Sequence, residues 1–183
     1  MKKSLKYLSL TFLVSFYSVS LLAELSQCRV LSVNLDLIQK TCKQTPNYDL
    51  CVSSLQSDPR SSNADVRGLT LIMVDVLTAK ARETLNHIHE LLEQSPKPDQ
   101  KQPLSCCNNY YEAILEGDVP EAIEALTKGN YKFAEQGSDD AAIEAELCEK
   151  KFTSGTSSLT DMNKVVHDVA AVTAAMTRIL LSS

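Results

Sequence analysis

The apolar residues of this chain recur every three to four positions over long stretches, whereas no stretch alternates apolar and polar residues as a β-strand does. The first long stretch predicts a helix that begins near residue 65 and ends before Ser95-Pro96-Lys97-Pro98, because two prolines cannot continue it. A second helix follows, and Gly117-Asp118-Val119-Pro120 predicts a kink in it or a separate segment at 121–128. Gly129-Asn130 is then a helix-ending pair.

Two further helices complete this pattern, one predicted over about 138–152 and the other over about 159–181. Four long amphipathic helices with short connections predict an all-α fold, an up-down-up-down four-helix bundle over 65–183. The residues predicted to face the core from the last two helices are Ala142, Ala145, Leu147, Cys148, Phe152, Met162, Val165, Val166, Val169, Thr173, Met176 and Leu180.

A short helical hairpin is predicted at 33–57, ahead of the bundle. Thr45-Pro46-Asn47 interrupts it, since proline lacks the donor that a helix interior requires. Cys42 and Cys51 flank this break and would staple the hairpin if they paired.

The first residues predict a secretory signal peptide over 1–23. Lys2, Lys3 and Lys6 precede an apolar run that closes on small residues near Ala23. Serines interrupt the run and no basic stop-transfer cluster follows, so the alternative of a membrane anchor is disfavoured and no membrane association is expected after cleavage. The expected destination is the secretory pathway, in the apoplast and cell wall or in the vacuole.

Removal of residues 1–23 takes away three lysines and no acidic residue, so the net charge moves from −5 to −8. A chain this acidic would be repelled by nucleic acid, which binds basic surfaces. The remaining length suits one domain at 24–183.

Six cysteines in a chain with a signal peptide are interpreted first as disulfides. Cys107 and Cys148 would join the second and third bundle helices if they paired. Cys28 and Cys106 are left over, either to pair with each other or to remain free thiols. No cysteine or histidine spacing is typical of structural zinc, so no metal or cofactor is expected.

No motif supports catalysis: the chain has no Gly-x-Ser-x-Gly, no phosphate-binding glycine loop and no His-Glu-x-x-His. The carboxylates of Asp139, Asp140, Glu144 and Glu146 are interpreted as a solvated helix face rather than as acid/base pairs. An enzyme is therefore not expected.

The segment Gly129-Asn130-Tyr131-Lys132-Phe133 departs from the rest of the pattern, because two aromatic residues flank a lysine just before an acidic stretch. Aromatic side chains beside a cation form an effective protein contact. Composition alone favours another interpretation, in which Phe133 fills the end of the bundle and Lys132 is merely solvated.

Four stretches of the chain resemble the plant invertase and pectin methylesterase inhibitor family, namely 41–51, 107–111, 119–126 and 145–148. The resemblance covers essentially the whole mature chain. It implies a four-helix bundle preceded by a helical hairpin, with disulfides Cys42–Cys51 and Cys107–Cys148, and it implies an enzyme inhibitor.

Within that family, invertase inhibitors carry a Pro-Lys-Phe motif after the second bundle helix, and this motif enters the sucrose-binding cleft of the enzyme. The matching residues here are Tyr131, Lys132 and Phe133, so the chain departs from the motif at Tyr131. Without the proline, the loop around Lys132 is expected to be less preorganised and to bind more weakly. Stretches 71–75 and 120–126 also look more like the invertase branch.

The resemblance therefore implies acid invertase (β-fructofuranosidase), of the cell wall or the vacuole, as the partner. Lys132 would lie against the carboxylates that glycoside hydrolysis requires, with Phe133 packed beside them. Pectin methylesterase is the alternative partner. A small-ligand or lipid carrier is a more distant alternative, because lipid-transfer proteins, which the adjacent Cys106-Cys107 resembles, have eight cysteines and a Cys-x-Cys motif that this chain lacks.

Overall fold

A computed structural model describes residues 34–152 and 157–182 of the chain. The signal peptide predicted at 1–23 and Cys28 lie outside the described residues. The described part is all-α and contains no β-strand, as predicted. Its helices are α1 (34–42), α2 (Tyr48–Ser57), α3 (Val66–Glu93), α4 (Pro98–Ala113), α5 (Val119–Lys128), α6 (Tyr131–Glu149) and α7 (Thr160–Leu181), with a 3₁₀ helix at Pro59–Asn63 and a π-helical turn at Ile114–Asp118.

The four-helix bundle consists of α3, of α4 continued by α5, of α6 and of α7, and the hairpin of α1 and α2 precedes it. Helix α6 packs against α7, α5 and α4, while α3 packs against α7, α4 and α5. This arrangement confirms the predicted architecture. Within the described residues, no helix combines the length and the apolar character needed to cross a bilayer. The largest fully buried side chains are those of Leu55, Leu69, Met73, Leu77, Ile88, Tyr111, Ile114, Leu126, Leu159 and Met176.

The boundaries of α3 follow from side chains that the sequence displays. The carboxylate of Asp65 caps the helix by accepting a hydrogen bond from the Gly68 N–H at 2.7 Å. At the other end, Ser95 adopts a positive φ of 55° immediately before Pro96. The predicted start and stop are therefore both present.

The break predicted at 117–120 is a π-helical turn between α4 and α5. The Val119 N–H donates to the carbonyl of Ile114, five residues earlier, rather than to the residue four earlier. This change of register comes directly before Pro120, which has no N–H to donate. The second element of the bundle, α4 followed by α5, can therefore continue through Pro120.

The start expected for the third bundle helix, near Ser138, is wrong by about two turns, because α6 begins at Tyr131 and ends at Glu149. Helix α5 ends in a Schellman turn: Asn130 N–H donates to Ala125 O at 2.8 Å and Gly129 N–H to Leu126 O at 3.3 Å. Gly129 has the left-handed φ of 77° that this turn requires. The turn redirects the chain so tightly that the next helix begins without an intervening loop.

One residue predicted to face the core from the last helix does not do so. The side chain of Val165 is 39% exposed, whereas its neighbour Val166 is fully buried. The buried face of α7 therefore excludes Val165, although it includes residues beyond the predicted set, such as Ala170, Val172 and Ala175.

Both cysteine pairs that the family resemblance implies are disulfide bonds in the structure. Cys42–Cys51 joins the end of α1 to α2, and Cys107–Cys148 joins α4 to α6. All four of these residues are fully buried. Cys106 is half-buried on α4 and forms no disulfide with another described cysteine.

Candidate functional site

Tyr131, Lys132 and Phe133 form the first turn of α6. The Phe133 N–H donates to the carbonyl of Asn130 at 3.0 Å, which closes this turn directly after the Schellman turn. The expectation that Lys132 and Phe133 lie in a loop is therefore wrong. Instead, they lie on a helical turn that directly follows the Schellman turn and that the hydrogen bond to Asn130 closes.

The three side chains of this turn have different surroundings. Tyr131 is half-buried and packs against the hydrophobic core, so it anchors the turn. The Lys132 side chain is 77% exposed and Phe133 is 56% exposed. Phe133 therefore does not fill the end of the bundle. The interpretation that composition alone favours is wrong for this residue.

The Lys132 ammonium is held by a carboxylate one turn further along α6. Its Nζ donates to Glu135 Oε2 at 2.7 Å, and the Glu135 side chain is only 12% exposed. The hydrogen bonds from Lys132 and then from Arg178 hold the pKa of Glu135 below its ordinary value. Glu135 is therefore ionised at mildly acidic pH.

Arg178 of α7 extends this cluster across the bundle. Its Nε donates to Glu135 Oε1 at 2.7 Å, and its Nη2 donates to the two carboxylate oxygens of Asp139 at 2.8 and 2.9 Å. Lys132, Glu135, Asp139 and Arg178 are hereafter called the charge cluster. It contains two cations and two carboxylates and joins α6 to α7.

The position of Lys132 opposes the local preference of a helix. The positive end of the helix dipole favours acidic residues in the first turn, but the first turn of α6 contains Lys132 and no acidic residue. The ion pair with Glu135 offsets this unfavourable position of Lys132, but helix stability does not explain why Phe133 is exposed beside it. A contact with another molecule is one physical reason for it.

The interpretation of the other carboxylates as a solvated helix face is wrong for Glu144. Glu146 is exposed and pairs with Lys150 at 2.6 Å. Glu144, in contrast, is partly buried beside Asp118, and the buried atoms Glu144 Oε2 and Asp118 Oδ2 accept no hydrogen bond from any other described residue, so only protonation of one carboxyl lets the two hydrogen-bond to each other. Burial is the main cause that raises the pKa of both carboxyls above the ordinary values.

The two histidines of α3 lie beside different polar side chains. His87 Nδ1 lies 3.3 Å from Glu90 Oε2, and His89 Nε2 lies 2.7 Å from Asn108 Oδ1. Over the described ranges, no group of three or more His, Cys, Asp or Glu side chains is arranged to hold a metal ion.

Sequence reasoning missed the contribution of Glu135 and Arg178 to this site. The spacing of Lys132 and Glu135, three residues apart on a helix, is a detectable signal once α6 is known to begin at Tyr131. Arg178 follows Glu135 by 43 residues, and only the packing of α7 against α6 brings the two together.

The plant invertase/pectin methylesterase inhibitor family model matches residues 36–179. The cell wall/vacuolar inhibitor of fructosidase 1 of Arabidopsis thaliana is 46% identical over 140 residues, which are 76% of this chain and 67% of that protein. The pectinesterase inhibitor of Actinidia deliciosa is 33% identical over 148 residues, 80% of this chain and 79% of that protein.

The fold is also similar to a solved structure. A crystal structure of a mutant form of a pectin methylesterase inhibitor from Arabidopsis superposes with a TM-score of 0.66 at 22% identity, over 75% of this chain and 93% of that one. At this identity the likeness concerns the fold alone. The family model extends from α1 to the last turn of α7. The chain belongs to the plant invertase/pectin methylesterase inhibitor family.

Proposed function

We propose that this chain is a secreted inhibitor of acid invertase, and that the first turn of α6 blocks the sucrose-binding cleft. The observation that carries the proposal is the exposure of Lys132 and Phe133 side by side on a helical turn that Tyr131 anchors to the core. Two carboxylates flank the scissile bond in a typical glycoside hydrolase. A lysine with a neighbouring aromatic ring complements such a cleft in charge and in apolar surface.

The departure from the Pro-Lys-Phe motif at Tyr131 is compatible with this role. Tyr131 is the first residue of α6, where proline is favoured because its fixed φ suits a helix. Here the helix itself and the buried part of the tyrosine provide the restraint. The turn is preorganised without proline, which favours binding because less order has to be gained.

The names of the relatives support the place of action. The Arabidopsis thaliana relative at 46% identity is called a cell wall/vacuolar inhibitor. Together with the signal peptide predicted at 1–23, this supports secretion of the chain to the cell wall or to the vacuole.

The test uses the purified mature chain, residues 24–183, with acid invertase. The variant Lys132→Ala/Phe133→Ala is expected to weaken inhibition about thirtyfold, because an exposed anchor of two such residues contributes about 2 kcal/mol. Lys150→Ala is the matched control: it also removes an exposed lysine, one that caps the C-terminal end of α6 and is paired with Glu146. The control is expected to inhibit as the wild type does.

The proposal is wrong if the double variant inhibits invertase as strongly as the wild type. Raising the salt concentration should weaken the wild type but affect Lys132→Ala less, because the lost contact is a charged one.

Inhibition of pectin methylesterase is a second candidate function, favoured by the 33% identity to the pectinesterase inhibitor of Actinidia deliciosa. Pectin methylesterase is therefore assayed in parallel. Inhibition of that enzyme alone would contradict the invertase proposal and support the second candidate.

A further inference from the structure

The charge cluster provides Glu135 with two cations rather than one. Lys132 donates to one carboxylate oxygen and Arg178 to the other, each at 2.7 Å. The two cations differ in exposure, since the Lys132 side chain is 77% exposed and that of Arg178 is 50% exposed. Lys132 is thus the member of the cluster that another protein can reach most readily.

Contact with a carboxylate of another protein would place two acids in competition for the Lys132 ammonium. Glu135 is mostly buried, and a buried carboxylate that loses its counter-charge is unfavourable. Release of Lys132 therefore depends on whether Glu135 retains another cation. Arg178 is that cation, because its Nε hydrogen bond to Oε1 does not involve the oxygen that Lys132 contacts.

We propose that Arg178 is a positioning residue that holds Glu135 ion-paired and so allows Lys132 to transfer to a carboxylate in the cleft of the inhibited enzyme. This inference rests on the proposed function of Lys132. Arg178 suits the role because a guanidinium directs several donors in one plane, and here it bonds Glu135 and Asp139 together. A lysine at this position would not reproduce that geometry.

The first test measures inhibition of acid invertase by Arg178→Met. Glu135 then has Lys132 as its only cation of the cluster and retains it, so inhibition is expected to weaken about fivefold, as for the loss of a partly exposed ion pair. Lys164→Met is the matched control. It removes one positive charge from the same helix, about 21 Å away along its axis, and Lys164 pairs with Asp168.

A rescue variant separates action through Glu135 from a general loss of charge or structure. In Arg178→Met/Glu135→Gln no carboxylate retains Lys132, so inhibition is expected to return to within about twofold of the wild type. Glu135→Gln alone is expected to inhibit at least as strongly as the wild type. Unchanged inhibition by Arg178→Met, a double variant as weak as Arg178→Met, or a Glu135→Gln variant weakened to the same extent would each overturn the inference.

A measurement on the free protein tests the charge compensation without any enzyme. The pKa of the Glu135 carboxyl is followed by NMR in the wild type, in Lys132→Ala and in Lys132→Ala/Arg178→Met. It is expected to remain below the ordinary value in Lys132→Ala and to rise to or above it in the double variant. A Glu135 pKa that already reaches the ordinary value in Lys132→Ala would overturn the inference.

These outcomes distinguish the two proposals. A wild-type chain that inhibits neither enzyme contradicts the proposed function. A wild-type chain that inhibits invertase through Lys132, together with an Arg178→Met variant that inhibits equally well, contradicts only the role of Arg178.

Discussion

Gly137 occupies the point at which α6 crosses the end of the π-helical turn. A Cβ atom at this position would lie 2.7 Å from the backbone oxygen of Asp118 and 3.4 Å from the backbone nitrogen of Ala122. Real Cβ atoms essentially never approach an oxygen this closely, and a backbone oxygen cannot move aside as a flexible side chain can. The absence of a side chain therefore sets the distance between α6 and the start of α5.

Gly137→Ala is accordingly expected to lower the free energy of unfolding by about 1–3 kcal/mol, the usual cost of an overpacked core. Gly117→Ala is the matched control, since a Cβ there would meet nothing within 4 Å. It is expected to leave stability unchanged or to raise it by up to about 1 kcal/mol, because alanine favours a helix. Urea unfolding of the two variants checks this, and equal stabilities would show that the close approach is relieved at no cost.

At the scale of the helices, a polar network that is buried at Tyr111 and Asn163 joins α4, the end of α6 and the start of α7. The Tyr111 hydroxyl donates to Asn163 Oδ1 at 2.8 Å, and Asn163 Nδ2 donates to Glu149 Oε2 at 2.7 Å. The hydroxyl of Thr160 donates to the other oxygen of Glu149, also at 2.7 Å. Asn163 is the central residue, because it uses both ends of its amide.

Asn163→Ala is expected to lower the free energy of unfolding by about 2–3 kcal/mol, because it removes an acceptor from the buried Tyr111 hydroxyl and a donor from the partly buried Glu149 carboxylate. Asn109→Ala, on the exposed face of α4, is the control and should change stability by less than about 0.5 kcal/mol. Thermal and urea unfolding measure both. A loss for Asn163→Ala no larger than that of the control would contradict the importance of the network.

The helix boundaries also show which parts of the fold can be predicted from the sequence alone. The bounds of α3 were predictable because Asp65 and Pro96 act within one turn of its ends. The start of α6 was not, because Gly129-Asn130 marks the end of a helix but does not reveal that a Schellman turn leads directly into the next one. Gly137, a poor helix former, further concealed the helical pattern of this stretch.

The candidate site was predictable only in part, for a similar reason. Lys132 and Phe133 were identified from their composition and from the family motif, which are local features. Arg178 and the partly buried position of Glu144 depend on which helices pack against α6, and no local pattern determines that.

At the scale of the whole molecule, the fold brings two carboxyls together where α6 packs against the junction of α4 and α5. Glu144 of α6 and Asp118 of the π-helical turn lie together, and one buried oxygen of each accepts no hydrogen bond from any other described residue. Burial and then repulsion by Asp118 raise the pKa of Glu144, and Asp140 adds to the shift. Burial is also the largest effect on Asp118 and raises the pKa of that carboxyl, whereas the hydrogen bond with Glu144 lowers it and the charges of Asp140 and Glu121 add to the rise.

This pair should make the protein more stable in acid than at neutral pH. A carboxyl with a raised pKa binds a proton in the folded chain that the unfolded chain has already released, so the free energy of unfolding falls as the pH rises from the ordinary glutamate pKa of about 4.3 through the raised pKa. Its contribution is complete below the ordinary value and is lost above the raised one.

Urea unfolding at about pH 5 and about pH 8 is expected to show a decrease of about 1–2 kcal/mol for the wild type, after allowance for solvent screening of these partly exposed groups. Glu144→Gln cannot titrate, so its stability should fall less over the same range and should exceed that of the wild type at pH 8. Glu146→Gln, at an exposed carboxylate two residues away that pairs with Lys150, should keep the wild-type dependence. A Glu144→Gln profile as steep as that of the wild type would mean that another group carries the pH dependence.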